Sequence, residues 1–157
     1  MKIAIDFDGT IVEQNKPYDQ VDGEFTFVPG AEAALWALKR AGHQLLLWSA
    51  RASLALRQDW RKDRLWATSL SPSTARRIES SYAINEQRYR EMVTFAHNKL
   101  GGLFDAVDDG TMGKPHVDLF IDDKCLRLGG SGVTWAEIEE THGEPKPDSE
   151  LNDASTH

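Results

Sequence analysis

A three-layer α/β fold around a parallel sheet is the architecture the sequence predicts, and two observations carry that prediction. Short apolar runs of strand length alternate with segments of helical period, the order that builds strand–helix–strand crossovers. Acidic or polar residues follow three of those runs directly: Asp6 and Asp8, then Ser49, then Asp122 and Asp123. In open parallel sheets the carboxyl ends of the strands are where ligands bind, because loops and helix N-termini converge there. The chain has 157 residues, of which 40% are hydrophobic and 27% charged. That suits one domain, expected over residues 1–143, and excludes wholesale disorder.

The first strand is Lys2-Ile-Ala-Ile, which meets Asp6 and then Gly9. Residues 11–28, broken by Pro17 and Gly23 and ending before Pro29, read as a loop or small hairpin. A helix follows over 31–41, with Ala31, Ala34, Leu35 and Leu38 on one face and Gly42 as its stop. Gln44-Leu-Leu-Leu-Trp48 is the second strand. Residues 52–68 read as helix through Leu56, Trp60 and Leu65, and Ser71-Pro72-Ser73 makes a break and an N-cap. Helical spacing resumes with Ile78 and Tyr82, then Tyr89, Val93, Ala96 and Leu100, and Gly101-Gly102 ends it. The stretch 52–100 is thus a helical insertion between the second and third strands. The third and fourth strands are expected over 103–107 and 117–121, and a last helix over 135–140. Residues 144–157 are polar, with little to bury, and read as a flexible tail.

Composition narrows the function. The longest apolar run, 33–38, is far short of the roughly 20 residues that span a bilayer. No basic start leads into an apolar segment, so neither a signal peptide nor a membrane partner is expected. A single cysteine, Cys125, fits a reducing cytoplasm. The formal net charge of −7 speaks against a general nucleic-acid binder. Its distribution is uneven, however: residues 51–100 hold ten Lys/Arg and five Asp/Glu, a basic segment on an acidic protein. His43, His97, His116 and His142 have no zinc-ligand spacing.

Asp6 and Asp8 stand two apart on extended chain, so both carboxylates can face one side, with Gly9 turning the backbone away behind them. Carboxylates this close repel, which invites a divalent cation or a shared proton. Asp122-Asp123 from a neighbouring strand would add oxygen ligands of the kind Mg²⁺ prefers. An EF-hand loop fits poorly, because glycine falls at its fourth position and Pro17 stands where the closing Glu belongs.

Ile3-Ala-Ile-Asp6-Phe-Asp8-Gly9-Thr10 resembles the first motif of the haloacid dehalogenase-like superfamily of phosphohydrolases. Leu46-Leu-Trp-Ser49 resembles its second motif, Lys114-Pro115 its third, and Leu119-Phe-Ile-Asp122-Asp123 its fourth. All four occur in order between residues 2 and 123. The resemblance implies a Rossmann-like core and a Mg²⁺-dependent phosphomonoester hydrolase that works through an aspartyl-phosphate. In that scheme Asp6 is the nucleophile, and Asp8 protonates the leaving oxygen and then activates water. Mg²⁺ is held by Asp6, the backbone carbonyl of Asp8 and Asp122, with Asp123 as a ligand or its close neighbour. Ser49, Ala50 and Arg51 face the substrate, and Lys114 offsets the charge on phosphate and Asp6. For Arg51, contact with substrate, bracing of a carboxylate and a purely structural role all remain open.

Neither position where this superfamily inserts a cap domain has the length for one, so the chain looks capless or nearly so. The phosphorylated substrate is expected to be a small molecule. A nucleotide or polynucleotide end is the alternative, with Arg57, Arg61, Arg64, Arg76 and Arg77 steering the anion if the basic insertion borders the site. A non-catalytic binding or regulatory protein on the same fold is the alternative from another class. Substrate identity and oligomeric state are not set by the sequence.

Overall fold

Four apolar segments pair as parallel strands: β1 (Lys2–Ile5), β2 (Gln44–Leu47), β3 (Ala106–Val107) and β4 (Leu119–Ile121), in the order β3-β2-β1-β4. The computed structural model describes residues 1–14, 16–17, 19–58, 71–123 and 134–143. The expectations for Trp60, Arg61, Arg64, Leu65, Cys125 and the 144–157 tail fall outside those residues, as do the side chains of Arg77 and Ile78. The expected α/β class with a parallel sheet is what the chain forms.

β1 lies between β2 and β4, with Ile3 level with Leu45 and Leu119, and Ile5 level with Leu47 and Ile121. A strand covered on both faces needs apolar residues at every position rather than at alternate ones. Ile3, Ala4 and Ile5 are all buried, as are Leu45, Leu46 and Leu47.

β3 and β4 begin later than their apolar patterns predict, and for one physical reason. At the start of β3 the Asp105 carboxylate accepts the Leu45 backbone N–H at 2.8 Å and the Lys39 ammonium at 2.8 Å. At the start of β4 the Asp118 carboxylate accepts the Lys2 N–H at 2.7 Å. In both places a side chain takes a donor that a ladder carbonyl would otherwise hold.

α1 (Ala31–Arg40) buries Ala31, Ala34, Leu35 and Leu38, the face its spacing marks. It packs on α4 (Trp135–His142), which opens with a reciprocal Thr134–Glu137 capping box. Over residues 52–58, the described part, the insertion departs from the expected 52–68 helix. A 3₁₀ turn over Ala50–Ala52 leads to a single helical turn, α2 (Leu54–Arg57), and the chain is extended at Gln58. α3 (Pro72–Lys99) then runs for 28 residues, with Pro72 in the first helical position, where its missing N–H costs nothing. Met92, Phe95 and Ala96 turn into the core, and Tyr89 and Val93 pack at its margin.

Residues 11–28 form a narrow hairpin. Val12 pairs antiparallel with Phe27, and the Glu13 N–H donates to the Thr26 carbonyl at 2.9 Å. Phe25 and Phe27 close over Phe7 and Phe95, with ring centroids 5.1 to 5.7 Å apart. The hairpin is therefore pinned to α3 by aromatic burial. No described helix is long and apolar enough to cross a membrane.

Candidate active site

Asp6 continues β1 by one residue, its N–H donating to the Ile121 carbonyl at 2.9 Å. The sheet itself thus fixes Asp6 beside the end of β4. Behind it the chain folds into a tight turn: Ile11 and Val12 both donate to the Phe7 carbonyl, and Gly9 donates to Val12. Gly9 has φ 77°, and a Cβ there would stand 2.9 Å from Oδ2 of Asp123. Glycine serves both the left-handed turn and the close approach of Asp123.

One oxygen from each of Asp6, Asp122 and Asp123 lies within 4.8 Å of the other two. This is the gathering that the strand-end reading anticipates. Burial pushes the Asp6 carboxyl up to about 6, and the nearby charges of Asp122 and Asp8 push the same way. The Phe7 N–H and the Ser49 hydroxyl, both donating to Asp6, oppose the rise. Ser49 is buried at the end of β2, where its Oγ also accepts the Arg51 N–H at 3.4 Å and caps the 3₁₀ turn.

Asp8 stands apart from the three carboxylates. Arg51 grips it with two prongs, Nε to Oδ2 at 2.7 Å and Nη2 to Oδ1 at 2.6 Å. The third nitrogen, Nη1, donates to the Arg88 carbonyl at 2.9 Å, and the guanidinium carbon lies 5.2 Å from the ring centroids of both Phe7 and Phe25. Of the three readings open for Arg51, bracing of a carboxylate is the contact the chain makes. A bidentate pair held against aromatic rings is a rigid brace, beyond what a lysine could supply.

Two cavities meet at Asp6. One, of about 410 Å³, is lined by Asp6, Ser49, Ala50, Asp108 and Asp122 among others. The second, of about 210 Å³, is lined by Asp6, Asp8, Ser49, Arg51, Asn85 and Arg88 among others. α3 therefore borders the site, through Asn85 and Arg88. Arg57 is engaged elsewhere: it donates to the Asp109 carbonyl at 2.7 Å and stacks 3.7 Å from the Tyr89 ring centroid. Arg76, twelve residues before Arg88, lies about 18 Å away along the helix axis. Lys114 is exposed, its Nζ 5.5 Å from the Phe120 ring centroid, and it lines neither cavity.

Four site residues escape the sequence reading. Thr10 is fully buried; its hydroxyl accepts the Asp123 N–H and its carbonyl accepts the Trp135 indole N–H, both at 2.9 Å. It locks the loop after β1 to the loop after β4 and to α4. Its place in the Asp-Phe-Asp-Gly-Thr run was the available signal. Asp108 follows β3 directly, as Asp6 follows β1, so the strand-end rule would have found it. Its N–H donates to the Leu47 carbonyl at 2.8 Å and its Oδ1 accepts from Gly110 at 2.9 Å. Asn85 and Arg88 carry no local signal, because only the docking of α3 brings them in.

No family model matches the chain, and no curated protein matches it. A solved structure of a conserved protein from Bacteroides thetaiotaomicron aligns with 100% of this chain and 98% of its own, at 23% identity and a TM-score of 0.43.

Proposed function

We propose that this chain is a Mg²⁺-dependent phosphomonoester hydrolase of the haloacid dehalogenase-like kind, capturing phosphate on Asp6. The observation that carries the reading is the meeting of Asp6, Asp122 and Asp123 within 4.8 Å at the carboxyl ends of adjacent strands. An all-carboxylate donor set suits a hard cation, and the missing Cβ of Gly9 leaves room for Asp123 to complete it. Bound there, Mg²⁺ would screen the repulsion between the Asp6 carboxylate and a phosphate dianion.

The chain's own residues account for the rest. Asp6 attacks phosphorus as the bond to the leaving oxygen breaks, and the electron pair departs with that oxygen. Ser49 and Ala50 line the cavity beside Asp6, where phosphate oxygens would sit. Asp8 serves as proton donor to the leaving oxygen and then as acceptor from the attacking water. Each prong of Arg51 takes one acceptor site on an Asp8 oxygen and leaves that oxygen a second site for the proton.

The test is turnover of an aryl phosphate by the purified chain. Activity should vanish with chelator and return with Mg²⁺. Asp6→Asn should lose roughly a thousandfold or more, about 4 kcal/mol of barrier, while keeping its circular dichroism. Turnover that resists chelation, or survives in the Asp6 variant, overturns the reading. Retention of fold without any turnover would favour a binding protein. Among the described residues, the polynucleotide-end alternative gains no observation of its own.

A further inference from the structure

A groove of about 100 Å³ opens beside the site, between the 11–28 hairpin and α3. It shares Asp8, Gln14, Arg51 and Arg88 with the cavity that contains Asp6. The two spaces adjoin at the Asp8–Arg51 pair, and because the proposed reading sets Asp8 against the leaving oxygen, the groove that Asp8 also lines is where the leaving group would extend. This placement rests on the proposed phosphatase reading; the chemistry of the groove does not.

Among the described residues the groove walls are polar and net acidic, with five carboxylates against three cations. Each cation already faces a carboxylate of the same groove. Lys16 bonds Asp22 at 2.6 Å and also reaches the Glu24 carbonyl, Arg51 bonds Asp8 at 2.6 Å, and an Arg88 Nη stands 3.9 Å from Asp8. The acidic surplus lies further along, where the Glu91 carboxylate accepts from the Gln87 amide at 3.2 Å, a neutral donor. The same amide reaches the Val21 carbonyl at 3.4 Å and ties the hairpin tip to α3. A second anion on a substrate would meet that surplus, whereas an ammonium would be attracted to it.

We infer that the hairpin–α3 groove is the leaving-group subsite and selects small phosphomonoesters whose alcohol carries an ammonium group over those that carry a carboxylate. Three phosphate esters with one common linkage make the test: those of ethanolamine, ethylene glycol and glycolate. Their binding to the Asp6→Asn variant with Mg²⁺, measured by calorimetry, should follow the order ammonium, hydroxyl, carboxylate. At low salt the ends should differ by about tenfold, and the gap should narrow as salt rises. Glu91→Gln in the same background should shrink the ammonium-to-carboxylate ratio by about threefold. A flat or reversed order, or a ratio that ignores Glu91→Gln, overturns the inference. Because this readout is binding, it fails separately from the phosphatase reading, which fails if the wild-type chain with Mg²⁺ releases no phosphate from an aryl ester.

Discussion

The two ends of the sheet use the same residue in opposite ways. At the amino ends of β3 and β4, Asp105 and Asp118 are exposed and accept strand N–H groups. The Lys39 ammonium, hydrogen-bonded to Asp105, holds that carboxyl below its usual range. At the carboxyl ends of β1 and β4, Asp6, Asp122 and Asp123 crowd together, and burial lifts Asp6 to about 6. A carboxylate at the first edge completes the fold. A carboxylate at the second is kept under electrostatic stress that a cation would relieve. The contrast teaches that an aspartate beside a strand says little by its type; the edge it occupies and the donors that reach it decide its role.

The sharpest way to break this contrast is at Asp8, which sits at the carboxyl edge yet is paired like the carboxylates of the amino edge. Arg51→Met leaves Asp8 partly buried without its bidentate partner, and should cost about 3 kcal/mol in urea unfolding. A loss within 0.5 kcal/mol, on the order of an ordinary surface change, would mean that the pair is incidental. Arg51→Lys should fall between, since one prong replaces two.

The stress on Asp6 predicts a pH dependence of opposite sign to the usual one. Its folded value of about 6 lies above the unfolded 3.8, so between them the native chain binds more protons than the unfolded one. Without metal, stability should therefore fall as pH rises through that window. Asp6→Asn should be more stable than wild type at pH 7.5 in chelator, by on the order of 2 kcal/mol after allowing for the partial exposure of Asp6. The advantage should disappear below about pH 3, where Asp6 is mostly neutral in both states, and it should narrow or reverse when Mg²⁺ is added. Wild type and variant unfolding alike at every pH would remove the stress from the comparison.

At the structural edge the sign is reversed. Asp105→Ala gives up the Leu45 and Lys39 contacts and should cost about 1 kcal/mol at neutral pH. Because its folded value is lowered, that contribution is present above the unfolded pKa and is lost as pH falls through the folded one. Aryl phosphate turnover should stay within about twofold, a change of a few tenths of a kcal/mol. The smallest effect is expected at Arg76. Charge reversal there, roughly two Debye lengths from Arg88 at physiological salt, should leave KM for a large anionic substrate within about twofold. A larger, salt-sensitive rise in KM would bring the basic insertion back as a steering surface.

Much of this was legible in the chain. Unbroken apolar runs mark strands buried on both faces, and their ends set Asp6, Ser49 and Asp122 at one edge of the sheet. The helix over Ala31–Arg40 and the stripe from Tyr89 to Leu100 were equally plain, because helical period and core contact are the same signal. The break at Gln58 was not legible, since Leu56 continues a helical spacing that the local backbone abandons. Nor were the late starts of β3 and β4, where a side chain replaces a ladder bond without changing the apolar pattern.

The sequence by itself determined which residues are offered at the sheet's carboxyl edge, because strand length and alternation with helices are local properties. Only the tertiary structure decided what each one meets. Arg51 reaches Asp8 from 43 residues away, Thr10 receives Asp123 from 113, and Asn85 and Arg88 enter the cavity only because Met92 and Phe95 anchor α3 beneath them. Such pairings depend on how buried faces dock, and docking is a property of the whole core rather than of any segment's pattern.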